Sequence, residues 1–211
     1  MSQLKNPKLR PDDTGAAPMR ADARRNEGKL IEAARIVFAR TGVDAPMREI
    51  ADEAGMGVGT IYRRFPQRAD LIAAVFRREV DACADAALSL AQDHAPADAV
   101  DLWMQRYVDF ILAKRGLASS LHSGGPAYAT LPAYFDARLE PALTSLLHAA
   151  ADAGELRADV EPRDLLRAVA GLCTPSGHSD PEVVRRLVRL LIDGLRYGMA
   201  ANSDAEGPET G

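Results

Sequence analysis

The chain has 211 residues, of which 47% are hydrophobic and 27% charged, a composition typical of one or two globular domains rather than of a disordered chain. No apolar run is long enough to span a membrane, and the first 19 residues lack the apolar stretch of a secretory signal. The two cysteines, Cys83 and Cys173, form neither a disulfide framework nor a metal-binding spacing. We therefore expect a cytoplasmic protein with no membrane partner.

The net charge of −4 is unevenly distributed along the chain. Residues 20–78 carry 12 basic and 8 acidic side chains, whereas residues 79–211 carry 11 and 20. This division suggests a module that binds a polyanion, attached to a body that does not. Arginine also far outnumbers lysine, and its forked guanidinium suits phosphates and guanine edges.

Apolar residues recur every three or four positions throughout, and no stretch alternates with period 2, so the predicted fold class is all-α. A flexible arm at residues 1–20 precedes four predicted helices. These cover 24–40, Pro46–Ala54, Val58–Phe65 and Arg68–Gln92. Gly42 and Gly55 follow the first two helices, where glycine accepts the positive φ that ends a helix, and Pro66 stops the third.

The second half of the chain predicts a further helical bundle. Its helices cover residues 97–115, 132–153, Pro162–Cys173 and a last stretch from Pro181, with Asp180 as its N-cap. Glycine and proline interrupt residues 117–131, and the polar tail from Ala200 to Gly211 is predicted to be disordered.

The segment from Arg48 to Phe65 carries the functional signal. Two short helices meet there at a tight glycine-containing turn. In the second of them, an inward face is predicted for Val58, Ile61, Tyr62 and Phe65. The opposite face is then free to enter the major groove of DNA, where small residues allow close approach and the helix N-terminus attracts phosphate. This arrangement is typical of a helix-turn-helix recognition element.

The stretch from Arg24 to Val75 resembles the N-terminal domain of the TetR/AcrR family of bacterial transcriptional regulators. The residues that carry the resemblance are Leu30, Ala33, Ala34, Phe38, Gly42, Ile50, Ala51, Ala54, Gly55, Gly59, Thr60, Ile61, Tyr62, Phe65, Pro66 and Leu71. Further along, residues 114–118, 157–160 and 190–196 are similar to an SbtR-like subgroup of that family.

The resemblance implies a homodimer whose recognition helices read a palindromic DNA operator, with repression relieved by a small-molecule effector. It implies a homeodomain-like helix-turn-helix domain at 21–67 and, at 68–199, a helical bundle for ligand binding and dimerisation. It calls for no cofactor and no metal.

Eight positions are implied to contact DNA: Arg48, Gly57, Gly59, Thr60, Tyr62, Arg63, Arg64 and Arg68. Tyr62 and Arg68 match the family's phosphate-contacting positions. Two interpretations stay open, because Tyr62 also fits a half-buried core tyrosine and the arginines also fit solvated helix charges. Gly57 stands where the family often has a capping serine, so a hydroxyl that could cap the helix is absent at that position.

Aromatic and large apolar residues concentrate in the second bundle, where they suit an effector pocket. The predicted lining is Trp103, Tyr107, Phe110, Leu121, His122, Leu131, Tyr134, Phe135 and Cys173. This lining favours a neutral or weakly polar hydrophobic effector. The alternative for each residue is plain core packing.

The last two helices carry apolar stripes that predict a dimer interface. Its members are Leu165, Val169, Val184, Leu187, Val188, Leu191 and Leu195. Two such helices from each subunit can form a four-helix bundle around a two-fold axis. The alternative is an intrachain helix pair.

Nothing in the chain predicts catalysis. The four histidines lack the spacing of a zinc site, and no nucleophile elbow or phosphate-cradling loop occurs. The rival to a DNA-binding regulator is therefore a helical small-molecule-binding protein without DNA-binding activity.

Overall fold

The computed structural model describes residues 16–114, 126–173 and 180–203. Within these ranges the regular structure is entirely helical, which confirms the all-α prediction. The α-helices are α1 (Ala16–Thr41), α2 (Met47–Ala54), α3 (Val58–Arg64), α4 (Arg68–Asp93), α5 (Pro96–Lys114), α6 (Leu131–Asp152), α7 (Pro162–Leu172) and α8 (Pro181–Ser203). A short 3-10 helix, Pro126–Tyr128, precedes α6.

Two helix ends differ from the prediction by more than one residue. α1 begins at Ala16, so residues 16–20 are helical rather than part of the predicted arm. Residues 16–23 include four alanines, which favour a helix without needing a buried face. α8 likewise extends to Ser203, past the predicted start of the tail at 200. The rest of the arm, 1–15, and of the tail, 204–211, lies outside the described residues.

The chain divides into two compact units, Met1–Leu71 and Ile72–Gly211. This division falls within α4, four residues after the end of the predicted helix-turn-helix domain at 67. The core of the first unit comes from one face of each of its helices. Its fully or nearly fully buried members include Leu30, Ala34, Val37, Met47, Ile50, Ala51, Ile61, Phe65 and Leu71.

Two glycines end the helices of the first unit as predicted. Gly42 has φ 89° and Gly55 has φ 64°, both in the left-handed region that glycine adopts without steric cost. The N–H of Gly55 donates to the Asp52 carbonyl at 3.2 Å, and the N–H of Met56 donates to the Ala51 carbonyl at 2.9 Å. Pro46, which was predicted to lie in the first turn of α2, is instead its N-cap, and the helix begins at Met47.

An aromatic cluster forms the core of the second unit. Trp103 is fully buried, and its Nε1 donates to the Cys83 carbonyl at 2.9 Å. Its ring stacks on Tyr107 with 5.9 Å between centroids, and Tyr107 in turn contacts Phe110 and Phe135. The cluster therefore joins α4, α5 and α6.

The N-terminus of α5 is capped from a distant part of the same unit. The Glu155 carboxylate, in the turn after α6, accepts the Ala97 N–H at 2.7 Å. A carboxylate at this end of a helix satisfies a free N–H and favours the helix dipole. No helix among the described residues has the length and apolarity that crossing a bilayer requires.

We expect Trp103→Ala to lower the free energy of unfolding by about 3–5 kcal/mol, because it leaves a large cavity and removes a buried hydrogen bond. Urea titrations followed by circular dichroism would measure this loss. The neighbouring Leu102→Ala is the matched control, since Leu102 is exposed on the same helix. Equal losses for the two variants would contradict the central position of Trp103.

Candidate nucleic-acid interface

The α2–turn–α3 segment buries only one side of α3. Ile61 is fully buried and Phe65, the C-cap, nearly so, whereas Val58 is half-buried. Tyr62 is 50% exposed, so its side chain is only partly buried, as the interpretation of a half-buried tyrosine allows. The buried residues of this seven-residue helix and its C-cap are therefore Ile61 and Phe65, fewer than the four that the spacing predicted. The remainder of α3 faces outward.

The outward surface of α3 contains Gly59, Thr60, Tyr62, Arg63 and Arg64, all exposed. Arg63 lies back along the helix: its Nε donates to the Gly59 carbonyl at 3.2 Å and its Nη2 to Thr60 Oγ1 at 3.3 Å. Apart from its chain neighbours and the backbone of α3 itself, no heavy atom of the described residues lies within 4 Å of where a Cβ on Gly59 would be. Gly59, Thr60 and Arg63 thus form one open polar strip, called here the α3 strip.

The adjacent Arg64 does not join this strip. Its Nη2 forms an ion pair with the Glu27 carboxylate of α1. Consecutive helix residues point in directions about 100° apart, which accounts for the different partners of Arg63 and Arg64. The sequence pattern treated the two arginines alike, because Glu27 lies 37 residues away and has no spacing relation to them.

Arg68 anchors the turn before α2. Its Nη1 donates to the Val43 carbonyl at 2.7 Å and to the Ala45 carbonyl at 2.6 Å. The sequence left Arg68 open between a phosphate contact and a solvated helix charge, and it gave no sign of this role, because backbone carbonyls leave no trace in a side-chain pattern. Other guanidinium N–H groups remain beyond the one that makes these bonds.

A second arginine joins α1 to α2. Arg40 forms ion pairs with Glu49 at 2.9 Å and Glu53 at 3.4 Å, and Thr41 Oγ1 donates to Glu49 at 3.0 Å. The hydrogen bonds from Arg40 and Thr41 lower the pKa of Glu49 below its ordinary value. Sequence analysis had not found this cluster. Arg48, one residue earlier on α2, is exposed, and Gly57 is the extended N-cap of α3.

The predicted effector residues form a packed core where the structure describes them. Trp103, Tyr107, Phe110, Leu131 and Cys173 are buried, and Tyr134 and Phe135 are half-buried. Leu121 and His122 lie outside the described residues. Burial raises the pKa of the Tyr107 hydroxyl and raises the pKa of the Cys83 thiol to about 12, so both stay protonated at neutral pH. Among the described residues, no charged side chain is buried.

Tyr134 belongs to a polar network rather than to a purely apolar lining. Its hydroxyl donates to Asp81 at 2.7 Å, and Arg138 donates to both Asp81 and Asp85 at 2.7 Å. Arg77 lies 5.9 Å from the centre of the Tyr134 ring. Burial, reinforced by Asp81, raises the pKa of Tyr134. This network, which the sequence did not reveal, fastens α4 to α6.

A surface groove runs along α6 in the same unit. It shares no residue with the predicted pocket. Its lining is Asp136, Ala137, Glu140, Pro141, Thr144, Ser145 and His148.

The predicted dimer stripe is divided between the core and the surface. Leu165, Val169, Val184 and Val188 are buried within their own chain, as the intrachain alternative requires, and Leu191 and Leu195 are half-buried. Only Leu187 is exposed, at 42%. Two further large apolar residues are exposed in the part of α8 whose side chains the structure describes, Val183 and Leu190, and the prediction did not include them. Successive members of the set Val183, Leu187, Leu190 and Gly194 are four, three and four residues apart, so they lie along one face of the helix. This set is called here the α8 stripe.

Comparison with known proteins agrees with this architecture. Residues 30–75 match the family model of bacterial regulatory proteins of the tetR family, and residues 95–197 match that of the SbtR-like transcriptional regulator C-terminal domain. An HTH-type transcriptional regulator from Staphylococcus aureus is 41% identical over 64 residues. That match spans 30% of this chain and 35% of the length of the curated relative.

Solved structures match over most of the chain. The TetR transcriptional regulator SCO0520 from Streptomyces coelicolor is 40% identical with a TM-score of 0.68, covering 80% of this chain and 97% of that one. A TetR regulator from Mycobacterium vanbaalenii is 36% identical with a TM-score of 0.65, covering 85% and 99%. Fold and site thus define a helix-turn-helix transcriptional regulator rather than an enzyme. The chain belongs to the TetR family, with an SbtR-like C-terminal domain.

We expect Arg68→Gln to loosen the turn before α2, because two backbone carbonyls lose a charged donor, at a cost of about 1.5–3 kcal/mol. Hydrogen exchange measured by mass spectrometry should quicken in peptides covering residues 42–55. Arg48→Gln is the control, since it removes the same charge at an exposed position. Unchanged exchange in the Arg68 variant would show that the two bonds do not hold the turn.

Proposed function

We propose that this regulator is a homodimeric repressor that binds a palindromic DNA operator through α3 and leaves it when a small molecule binds the second unit. The observation that carries the proposal is the one-sided burial of α3. Ile61 is fully buried while Tyr62 is half exposed, and the α3 strip is open to a partner.

The α3 strip has the shape and chemistry of a base-reading surface. A seven-residue helix is about 10 Å long and enters the major groove of B-DNA. The absence of a side chain at Gly59 allows the helix backbone to approach the bases. Arg63 presents a forked guanidinium, the group that pairs with the N7 and O6 acceptors of guanine. We assign base contacts to Thr60 and Arg63.

Contacts to phosphate complete the proposed interface. Tyr62 and Arg48 are exposed residues whose polar groups are suited to the DNA backbone. The backbone at Gly57 is suited to it too, as are the N–H groups of Arg68 that bond to no other described residue. Such contacts release counterions, so affinity should fall steeply as salt rises. Phosphate contacts position the protein, whereas the α3 strip supplies the preference for sequence.

We expect Arg63→Ala to weaken binding to the preferred site by about 1–3 kcal/mol and to relax the preference at one base pair of each half-site. A duplex selected from a randomised pool by the unaltered protein serves as the probe, with affinities from fluorescence anisotropy. Arg106→Ala, at an exposed position of α5, is the control. Unaltered affinity and preference in the Arg63 variant would remove this side chain from the base-reading set. If the unaltered protein enriches no sequence from the pool, the result would favour the alternative of a small-molecule-binding protein.

The α8 stripe supports dimerisation. Leu187 and Leu190 are 42% and 68% exposed on one helix face, and an exposed apolar row of this kind is typical of a subunit contact. Gly194 on the same face has open space where its side chain would be, which permits close helix approach. A two-fold axis beside α8 would pair the stripe with its own copy. Two recognition helices related in this way read half-sites about 34–36 Å apart.

We expect Leu187→Arg to convert the dimer to a monomer, because it places two charges opposite each other at the two-fold contact. Size-exclusion chromatography with light scattering gives the mass. Leu88→Arg is the matched control, since Leu88 is an exposed leucine on α4, away from the stripe. A dimer that survives the Leu187 change, or is lost equally with Leu88→Arg, would contradict this interface.

The proposed effector site lies in the second unit, beside the aromatic cluster. Tyr134 and Phe135 are its half-buried members, whereas Trp103 and Tyr107 are fully buried. Because no charge is buried among the described residues there, the proposed effector is neutral or weakly polar and hydrophobic. Its binding would favour a dimer whose recognition helices no longer match the half-site spacing.

A further inference from the structure

The C-terminal end of α3 places two neighbouring arginines in different electrostatic settings. Among the described residues, the partners of Arg63 are uncharged groups of its own helix, so no carboxylate there offsets its positive charge at the α3 strip. Arg64 is paired with the Glu27 carboxylate of α1, so this part of the surface is close to neutral. The Glu27 side chain is 27% exposed and that of Arg64 58%.

Stability is a weak reason for the pair between Glu27 and Arg64. An exposed ion pair typically contributes little to folding, because both charges stay partly hydrated. Its larger effect is on the field that a polyanion meets, because it cancels one positive charge and holds the Arg64 guanidinium toward α1. Contacts between a free arginine and phosphate carry no sequence information, so they raise affinity for every duplex alike.

We propose that Glu27 is a specificity-determining residue that acts through Arg64. By engaging this arginine, Glu27 prevents it from adding a sequence-independent phosphate contact and leaves Arg63 as the charged base-reading group of α3. This inference rests on the proposed binding of DNA through α3. In this inference, α1 influences which DNA sequence the protein prefers without contacting any base.

The test compares the full-length protein with its Glu27→Gln variant on two duplexes of about 30 base pairs, one of mixed sequence and one selected from a randomised pool by the unaltered protein. Anisotropy titrations at several KCl concentrations give the slope of log affinity against log salt. We expect the slope of the variant on mixed-sequence DNA to steepen by about 0.9 per bound chain, since each chain gains one phosphate contact. The ratio of selected-site to mixed-sequence affinity should fall.

Two controls separate this role from general charge and from folding. Glu53→Gln removes the same charge from the same unit, but its partner Arg40 keeps Glu49, so its salt slope should be unchanged. In an Arg64→Gln background the Glu27→Gln change should have no further effect. Circular dichroism checks that each variant is folded.

The outcomes are distinct. An unchanged slope for Glu27→Gln, or an equal increase for Glu53→Gln, overturns the inference. An increase that persists in the Arg64→Gln background also overturns it, because the Glu27 carboxylate would then act by direct repulsion of DNA. Failure of the unaltered protein to bind either duplex would instead count against the proposed function itself.

Discussion

The complete burial of Ile61 is the constraint on which the rest of the interface depends. It fixes the rotation of α3 about its own axis, and this rotation decides which side chains face outward. Gly55 makes this possible, since its left-handed backbone ends α2 within one residue and lets the chain turn into α3. Because Ile61 is buried on one side of this short helix, the three residues of the α3 strip face outward on the other side.

Several arginines of the first unit hold its helices and turns together, so not all of them are available for the proposed contact with DNA. Arg68 anchors the turn before α2, and Arg40 joins α1 to α2 through two carboxylates. Arg64 pairs with Glu27 of α1, whereas the partners of Arg63 in the described part of the chain all belong to its own helix. The excess of basic residues in this part of the sequence is therefore larger than the number of arginines that could meet DNA, because carboxylates of the same unit already pair with some of them.

The second unit separates an uncharged interior from charged connections at its edge. Trp103 and Tyr107 pack with other aromatic rings, and their polar atoms bond to backbone carbonyls. Around this core, the carboxylate of Asp81 holds Tyr134 and Arg138, so α4 is fastened to α6 by ionic as well as apolar contacts. A hydrophobic effector fits the proposal because entering such an interior requires no charge to lose its water.

The sequence by itself determined the helical fold, the glycine that ends α2 and the outward position of Arg63, because each follows from periodicity or from backbone chemistry local to a few residues. Only the tertiary structure decided the partners of Arg64 and Arg68, because these lie far along the chain and two of them are backbone carbonyls. It also decided that Val188 is buried while Leu187 is exposed. An apolar stripe predicts that a face is covered, whereas the packing of other helices determines which of its residues the same chain covers.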